Sequence, residues 1–203
     1  MHSRRDRTLL ILDLDETLVH ASSTPLDRGA DFRVAHYHVY RRPHLNDFLT
    51  AVAAMYDLAV WSSASDDYVK AVVANIFPDL EALQFVWGRS RTTYRHIAYT
   101  DDFVGNSYDP EHFFYIKDLS KVRRMGWPLE RVLIVDDTPE KCIRNYGNAI
   151  YPTPYEGSLQ DEELPHLASY LETLRDVHNV RKVEKRRWRT SVQATIKGDN
   201  PTS

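Results

Sequence analysis

Two aspartates, Asp13 and Asp15, lie two residues apart directly behind the apolar run at residues 8–12. In an extended segment, residues i and i+2 project to the same side, and in open α/β sheets ligands bind beyond the carboxyl ends of the strands. Two close carboxylates both ionise comfortably only when a cation lies with them, and otherwise one of them keeps its proton. Either state suits phosphoryl or proton transfer, so we predict that this segment carries chemistry.

Polar residues also follow three other apolar segments that we predict to be strands, at 58–61, 113–116 and 131–135. We expect the four strand ends to converge in one crevice. Acids, a hydroxyl and a lysine would then emerge together, and such groups can hold a phosphate dianion beside a hard divalent cation. The residues that follow the three segments are Ser62 and Ser63, Lys117 and Asp118, and Asp136 and Asp137.

The order of apolar segments predicts a mostly parallel α/β sheet with helices on both faces. Residues 31–42 alternate too weakly for a core strand and indicate an exposed ribbon or flap. The remaining predicted strands lie at 8–12, 84–87 and 148–151. The predicted helices lie at 44–55, at 66–77, at 119–125, from Pro139 onward, and at 161–177.

The length of 203 residues, with 42% hydrophobic content, favours one domain and a tail. We predict the domain at residues 1–178. Residues 179–203 are basic and then polar, and we expect them to form a solvated, partly disordered extension.

Charge and cysteine content narrow the classes of partner. A formal net charge of −3 gives no global reason to expect nucleic acid or an anionic membrane. The single cysteine, Cys142, excludes an intrachain disulfide. The first apolar run ends at Asp13 and is therefore too short to be a secretory signal peptide or a membrane-spanning helix. We therefore expect a monomer in the cytoplasm, or in the nucleus of a eukaryote, without direct nucleic-acid binding or membrane association.

Four segments resemble the motifs of haloacid dehalogenase superfamily phosphatases. More narrowly, the chain resembles the small C-terminal-domain phosphatases, also called the nuclear LIM interactor-interacting-factor-like family, over about residues 8–177. It departs in a longer stretch between Arg89 and Lys117 and in an acidic pair at 136 and 137 where the family has Asp-Asn. The resemblance implies a Rossmann-like sheet with small flap insertions and no large cap domain. The four segments are residues 13–20, 61–65, 115–120 and 135–139.

The resemblance implies hydrolysis of phosphomonoesters through an aspartyl-phosphate. Asp13 would attack phosphorus as the nucleophile. Asp15 would protonate the leaving oxygen and later take a proton from the hydrolytic water. Ser62 and Lys117 would hold the non-bridging oxygens of the phosphoryl group in the transition state.

The resemblance also implies a magnesium ion as cofactor. The ligands would be a side-chain oxygen of Asp13, the backbone carbonyl of Asp15 and a carboxylate of the acidic pair. Between Asp136 and Asp137 we favour Asp137, and both stay candidates. Mg²⁺ usually keeps several waters and takes one or two protein acids, which fits such a ligand set.

The insertions after the first and second motifs are too small to enclose a metabolite, so we expect a groove open to a phosphorylated protein or peptide. A phosphatase of small metabolites and a non-catalytic phosphopeptide-binding scaffold of the same fold stay open as alternatives. We assign substrate binding to Thr17, Ser63, Tyr68 and Arg89, with Thr17 also expected to support its loop. Further groove residues would be Phe32, Tyr37, Tyr40, Arg91, Tyr94 and Arg95.

Overall fold

The computed structural model describes residues 7–96 and 113–192. None of the helices in these two ranges is long and apolar enough to cross a bilayer. The strands are β1 (Leu9–Leu12), β2 (Val19–Ser22), β3 (Phe32–Val34), β4 (Tyr37–Arg41), β5 (Asp57–Trp61), β6 (Val86–Trp87), β7 (Thr93–His96), β8 (Phe113–Ile116), β9 (Val132–Val135) and β10 (Ala149–Ile150). The α-helices are α1 (Leu45–Met55), α2 (Asp66–Ile76), α3 (Ser120–Arg124) and α4 (Glu163–Leu174).

The central sheet has five parallel strands in the order β10-β9-β1-β5-β6. Strand β1 lies in the middle, and its last residue, Leu12, pairs with Val60 of β5 and Val135 of β9. This register brings the carboxyl ends of three neighbouring strands to the same edge. The residues that directly follow these three strands therefore lie close together. They are Asp13, Ser62 and Asp136.

The apolar residues of the strands alternate between two core layers. Leu10 and Leu12 pack on the layer that contains the buried faces of α1, α2 and α4, whereas Leu9 and Ile11 pack on the layer that contains α3. All four residues of β1 are fully buried, as expected for a strand in a parallel sheet covered on both faces. The predicted α/β class with helices on both faces is confirmed.

Two small insertions lie outside the central sheet. The predicted ribbon at residues 31–42 forms β3 and β4, which join β2 in an antiparallel sheet of order β2-β4-β3. Strands β7 and β8 form an antiparallel hairpin, and the residues between them, 97–112, lie outside the described part of the chain. Within residues 7–96 and 113–192 no large cap domain is present.

The hairpin corrects one prediction. We expected residues 113–116 to form a strand of the central sheet, but β8 pairs only with β7 in the described structure. A four-residue apolar run does not distinguish a core strand from one arm of a hairpin that packs on the core. The predicted helix from Pro139 is a short 3₁₀ helix, Pro139–Cys142.

The basic segment after α4 also differs from the expected solvated extension. The side chains of Val180, Trp188 and Val192 are buried in the same layer as α4. The indole Nε1 of Trp188 donates a hydrogen bond to the Tyr151 carbonyl oxygen at 3.1 Å. Burial of one tryptophan and two valines outweighs the basic composition. The one buried cation of residues 179–192, Lys185, donates hydrogen bonds to the Val180 and Val183 carbonyl oxygens, which partly offsets its removal from water.

Substitution of Trp188 tests whether this segment stabilises the domain. Trp188→Ala is expected to lower the free energy of unfolding by about 3–5 kcal/mol, since it removes a fully buried aromatic side chain. Chemical denaturation followed by circular dichroism measures the change. Arg187→Ala, at an exposed neighbouring position, is the control and is expected to change stability little. Equal stability of the two variants would contradict a docked segment.

Candidate active site

The loop after β1 is a tight turn that holds the two leading aspartates at the sheet edge. The carbonyl oxygen of Leu14 accepts hydrogen bonds from the backbone N–H groups of Thr17, Leu18 and Val19 at 2.8–3.2 Å. Glu16 has a φ of 57°, in the left-handed region that non-glycine residues seldom adopt. The turn therefore redirects the chain between Leu14 and Val19.

Asp13 is buried and ion-paired. Its Oδ1 accepts a hydrogen bond from the Leu14 N–H at 2.8 Å. Its Oδ2 lies 2.9 Å from Lys117 Nζ and 3.1 Å from Lys141 Nζ. Burial alone would raise the pKa of Asp13, but the two ammonium groups overcome this effect and hold the pKa below its usual value. Asp13 is therefore an anion at neutral pH, as a nucleophile must be.

Lys117 links Asp13 to the end of β9. Its fully buried ammonium lies 2.6 Å from Asp136 Oδ2 as well as 2.9 Å from Asp13. Burial alone would lower the pKa of Lys117, but the attraction of the two carboxylates raises it. Two hydrogen bonds fix the backbone of Lys117. Its N–H donates to the Lys141 carbonyl oxygen, and its own carbonyl oxygen accepts from the Asn145 side-chain amide.

Asp13, Asp136 and Asp137 form an acidic cluster whose ligand atoms lie within 4.8 Å of one another. The Thr138 N–H donates to Asp136 Oδ1 at 3.0 Å, and the Thr138 hydroxyl donates to Asp137 Oδ2 at 3.1 Å. Burial raises the pKa of both Asp136 and Asp137. Such a group of hard oxygen donors could hold a divalent cation.

Asp15 has a different environment from Asp13. Its Oδ1 accepts a hydrogen bond of 2.6 Å from the Tyr68 hydroxyl, and its Oδ2 lies 3.5 Å from the Ser62 hydroxyl. Burial raises the pKa of Asp15 to about 6, although the Tyr68 hydrogen bond acts in the opposite direction. One carboxylate is thus held as an anion while its neighbour can carry a proton near neutral pH, which separates the roles of nucleophile and acid.

The other predicted residues around the turn occupy supporting positions. The Ser62 hydroxyl is buried and accepts a hydrogen bond from the Ala64 N–H at 3.0 Å. Thr17 is fully buried with its hydroxyl 3.5 Å from Asp137 Oδ1, a position suited to holding that aspartate. The Ser63 carbonyl accepts a hydrogen bond from Arg89 Nε at 2.8 Å. Substrate contacts by Thr17 and Ser63 stay predictions.

A cavity of about 630 Å³ opens beside Asp15. Its walls include three of the residues predicted for a substrate groove, Tyr37, Tyr68 and Arg89. The rings of Tyr37 and Tyr68 meet edge to face at 5.8 Å. The rest of the wall comes from β2, β3, the turn between β3 and β4, the start of α2, and the loops after β1 and β5.

Several other predicted groove residues lie elsewhere. Tyr40 is fully buried, and its hydroxyl accepts a hydrogen bond from the Leu26 N–H at 2.7 Å. Phe32 packs against the core beneath Arg41, and Arg91 lies over the Trp87 ring. The aromatic or basic character of these residues did not by itself distinguish side chains that line a groove from side chains that pack against their neighbours. The Tyr94 ring lies 5.6 Å from the Tyr115 ring on the hairpin, with the two planes tilted by 51°. The side chain of Arg95 lies outside the described part of the structure.

Sequence reasoning missed three residues of the site. Lys141 contacts the acidic cluster, and its spacing of four residues after Asp137 was the available signal. Glu16 lines the cavity, and burial followed by the nearby Asp15 raises its pKa to about 7. Arg42 is buried beneath the loop, where it donates to the Thr17 carbonyl oxygen at 3.0 Å and pairs with Asp161 at 2.7 Å.

The parallel sheet with these acids at its carboxyl edge defines a haloacid dehalogenase-like domain. A sequence model described as "NLI interacting factor-like phosphatase" matches residues 8–181. The chain therefore belongs to this family.

Relatives of the chain carry phosphatase names. The human "Carboxy-terminal domain RNA polymerase II polypeptide A small phosphatase 1" is 29% identical over 186 residues, covering 88% of this chain and 63% of that protein. "CTD small phosphatase-like protein 2" of Dictyostelium discoideum is 31% identical over 185 residues, covering 85% of this chain and 28% of that protein. The chain thus spans less than two thirds of the length of these relatives.

Solved structures share the fold. The fission yeast RNA polymerase II CTD phosphatase Fcp1-R271A bound to beryllium fluoride superposes with a TM-score of 0.51 at 19% identity, over 96% of this chain and 57% of that one. An uncharacterized protein from Listeria monocytogenes serotype 4b superposes with a TM-score of 0.54 at 19% identity, over 84% of this chain and 99% of that one.

The raised pKa of Asp15 predicts how stability depends on pH. Because the pKa rises from 3.8 to about 6 on folding, protonated Asp15 favours the folded state below about pH 4, and this contribution is lost as the pH rises through 6. Asn at this position cannot ionise. In chelator-treated protein, Asp15→Asn is therefore expected to gain stability relative to wild type between pH 4 and pH 7, by about 1–3 kcal/mol.

Thermal and denaturant unfolding across this pH range measure the difference. A difference between Asp15→Asn and wild type that does not vary with pH would contradict the prediction.

Proposed function

We propose that this chain is a magnesium-dependent phosphomonoester hydrolase that acts through an aspartyl-phosphate on phosphoserine or phosphothreonine in proteins. One observation carries the proposal. Asp13 is buried as an anion between two ammonium groups, while the adjacent Asp15 has a pKa of about 6. A nucleophile and a proton donor are thus prepared side by side, and the family of phosphatases to which the chain belongs supports this assignment.

The reaction has two displacements at phosphorus. In the first, a carboxylate oxygen of Asp13 forms a bond to phosphorus as the bond to the ester oxygen breaks, and Asp15 gives its proton to the departing alcohol. In the second, Asp15 takes a proton from water, and the water oxygen attacks phosphorus. The bond between phosphorus and Asp13 then breaks, which releases phosphate and restores Asp13 as a carboxylate and Asp15 as a protonated acid.

Lys117 and Ser62 would stabilise the charge that develops on phosphorus. The Lys117 ammonium lies 2.9 Å from the nucleophile and is therefore within reach of oxygens on a phosphoryl group bound there. Ser62 lies on the other side of Asp15, with its hydroxyl already oriented by the Ala64 N–H. Tyr68 would orient the Asp15 carboxylate through its hydrogen bond of 2.6 Å.

The donor set of the acidic cluster fits a magnesium ion. Asp13, Asp136 and Asp137 offer hard oxygen atoms within 4.8 Å of one another, and the carbonyl of Asp15 would add a further oxygen ligand. When bound, Mg²⁺ would neutralise negative charge on the phosphate. The side chain of Asp15 is not part of the cluster, which leaves it available for proton transfer.

The flaps support a phosphopeptide as substrate. The cavity beside Asp15 is bordered by Tyr37, Tyr68 and Arg89 and by the small β2-β4-β3 sheet. The aromatic side chains would contact apolar parts of an extended chain, and Arg89 would contact its acidic groups. The names of these relatives refer to phosphatases of a polypeptide domain, which favours a protein substrate over a metabolite. The monomeric state and the absence of nucleic-acid and membrane partners stay predictions.

Removal of the nucleophile tests the chemistry. Asp13→Asn is expected to abolish Mg²⁺-dependent release of phosphate from an aryl phosphate, because the amide has no anionic oxygen to attack phosphorus. Asp15→Asn is expected to lose about 10²- to 10⁴-fold in kcat, and less on substrates whose leaving group needs no proton. Chelation with EDTA should stop turnover by wild type. Wild-type rates for Asp13→Asn would refute the aspartyl-phosphate.

Substitution of Arg89 tests the substrate class. Arg89→Ala is expected to lower kcat/KM for a phosphoserine peptide about tenfold more than for an aryl phosphate, because only the peptide reaches the cavity wall. Arg91→Ala is the matched control, since the Arg91 guanidinium lies 5.2 Å over the Trp87 ring. A compact metabolite as the better wild-type substrate would favour the small-molecule alternative, and inactivity on every phosphoester would favour the scaffold.

A further inference from the structure

A second ammonium group, that of Lys141, lies directly among the acids of the site. Its Nζ is 3.1 Å from Asp13 Oδ2, 3.7 Å from Asp136 Oδ1 and 3.8 Å from Asp137 Oδ1. These are the same three residues that form the acidic cluster. The Lys141 ammonium is therefore ion-paired with every carboxylate that we assign as a metal ligand.

The two lysines of the site differ in how firmly they are held. Lys117 is fully buried, with contacts of 2.6 Å and 2.9 Å to its two carboxylates. Lys141 keeps 20% of its side chain exposed, and its contacts to the cluster are longer. Because a lysine head group sits on a flexible four-carbon stem, Lys141 can move its charge without disturbing the core.

We propose that Lys141 is an internal counter-ion of the acidic cluster, which Mg²⁺ displaces and which then binds the phosphoryl group that is being transferred. The inference rests on the proposed function and assigns this lysine a role in it. Mg²⁺ contacts oxygen ligands at about 2.0–2.1 Å and requires a strict geometry. An ammonium group that contacts the same three carboxylates would compete with the ion for them and would be repelled by its double charge.

The position of Lys141 also explains what the displaced ammonium would bind. Its Nζ already lies 3.1 Å from Asp13 Oδ2, on the carboxylate at which the phosphoryl group would become attached. A short movement from the cluster would therefore place it beside the oxygens of that group. Metal binding and phosphate binding would then be coupled, since the ion releases the cation that the phosphate requires.

Calorimetric titration with MgCl₂ tests the first half of the proposal. Lys141→Gln is expected to bind Mg²⁺ about tenfold more tightly than wild type, or by about 1.4 kcal/mol, because no ammonium has to be displaced. Lys141→Arg keeps the charge and is expected to remain close to wild type. Arg144→Gln is the matched control, since Arg144 is a partly exposed cation three residues away that pairs with Asp118 at 3.1 Å. It is expected to change Mg²⁺ affinity less than twofold.

Titration with inorganic phosphate at saturating Mg²⁺ tests the second half. Lys141→Gln is expected to bind phosphate about tenfold more weakly than wild type, whereas Lys141→Arg and Arg144→Gln should bind it nearly as well. Opposite changes in the two affinities from one substitution would not arise from a purely structural role. Circular dichroism checks that each variant is folded.

The outcomes separate this inference from the proposed function. If wild type binds Mg²⁺ and Lys141→Gln binds it no more tightly, or if Arg144→Gln matches the gain, the counter-ion role is wrong. Unchanged phosphate affinity in Lys141→Gln would equally overturn the proposal. If neither wild type nor any variant binds Mg²⁺, the metal assignment itself fails, and the inference fails with it.

Discussion

The site depends on keeping buried carboxylates charged. Asp13 and Asp136 are almost fully inaccessible to water, and removal of a carboxylate from water is costly unless a cation is paired with it. Lys117 supplies that cation from the end of the β7-β8 hairpin, and Lys141 supplies a second from the turn after β9. Both elements are held against the sheet edge by this attraction. Loss of the fully buried Lys117 ammonium would leave an uncompensated charge in the interior, and the arrangement of the hairpin against the sheet follows from that constraint.

A single turn gives the two leading aspartates opposite properties. Asp13 faces the lysines and is stabilised as an anion. Asp15 faces Tyr68 and Ser62 and is desolvated, and no ion pair of Asp15 is formed within residues 7–96 and 113–192. The left-handed backbone at Glu16 and the hydrogen bonds to the Leu14 carbonyl make this division possible within three residues. Both residues are aspartates, so the difference between the acid and the nucleophile comes from their local environments.

Contacts far from the chemistry fix the same turn. Arg42 is buried beneath it and bridges the Thr17 carbonyl to Asp161 just before α4. Trp188 packs beside Tyr170 on that helix and bonds to the backbone after β10. The segment that follows α4 thus helps to hold the helix that supports Arg42. The packing of Trp188 against α4 and the ion pair of Arg42 with Asp161 therefore link the stability of α4 to the position of the loop that carries Asp13.

The sequence by itself determined the parallel α/β core, the long helices and the acids at the ends of β1 and β9. These features depend on local patterns, such as the apolar run before Asp13 and the helical spacing of Leu45, Phe48, Leu49 and Val52. Only the tertiary structure decided that Lys117 comes from a hairpin outside the main sheet, that Lys141 joins the acids and that Trp188 returns to the core. Each of these is a contact between distant segments, with 128 positions between Lys141 and Asp13 and 37 between Trp188 and Tyr151. The free energy of such contacts comes from packing and charge pairing in three dimensions, and no periodicity within one segment encodes it.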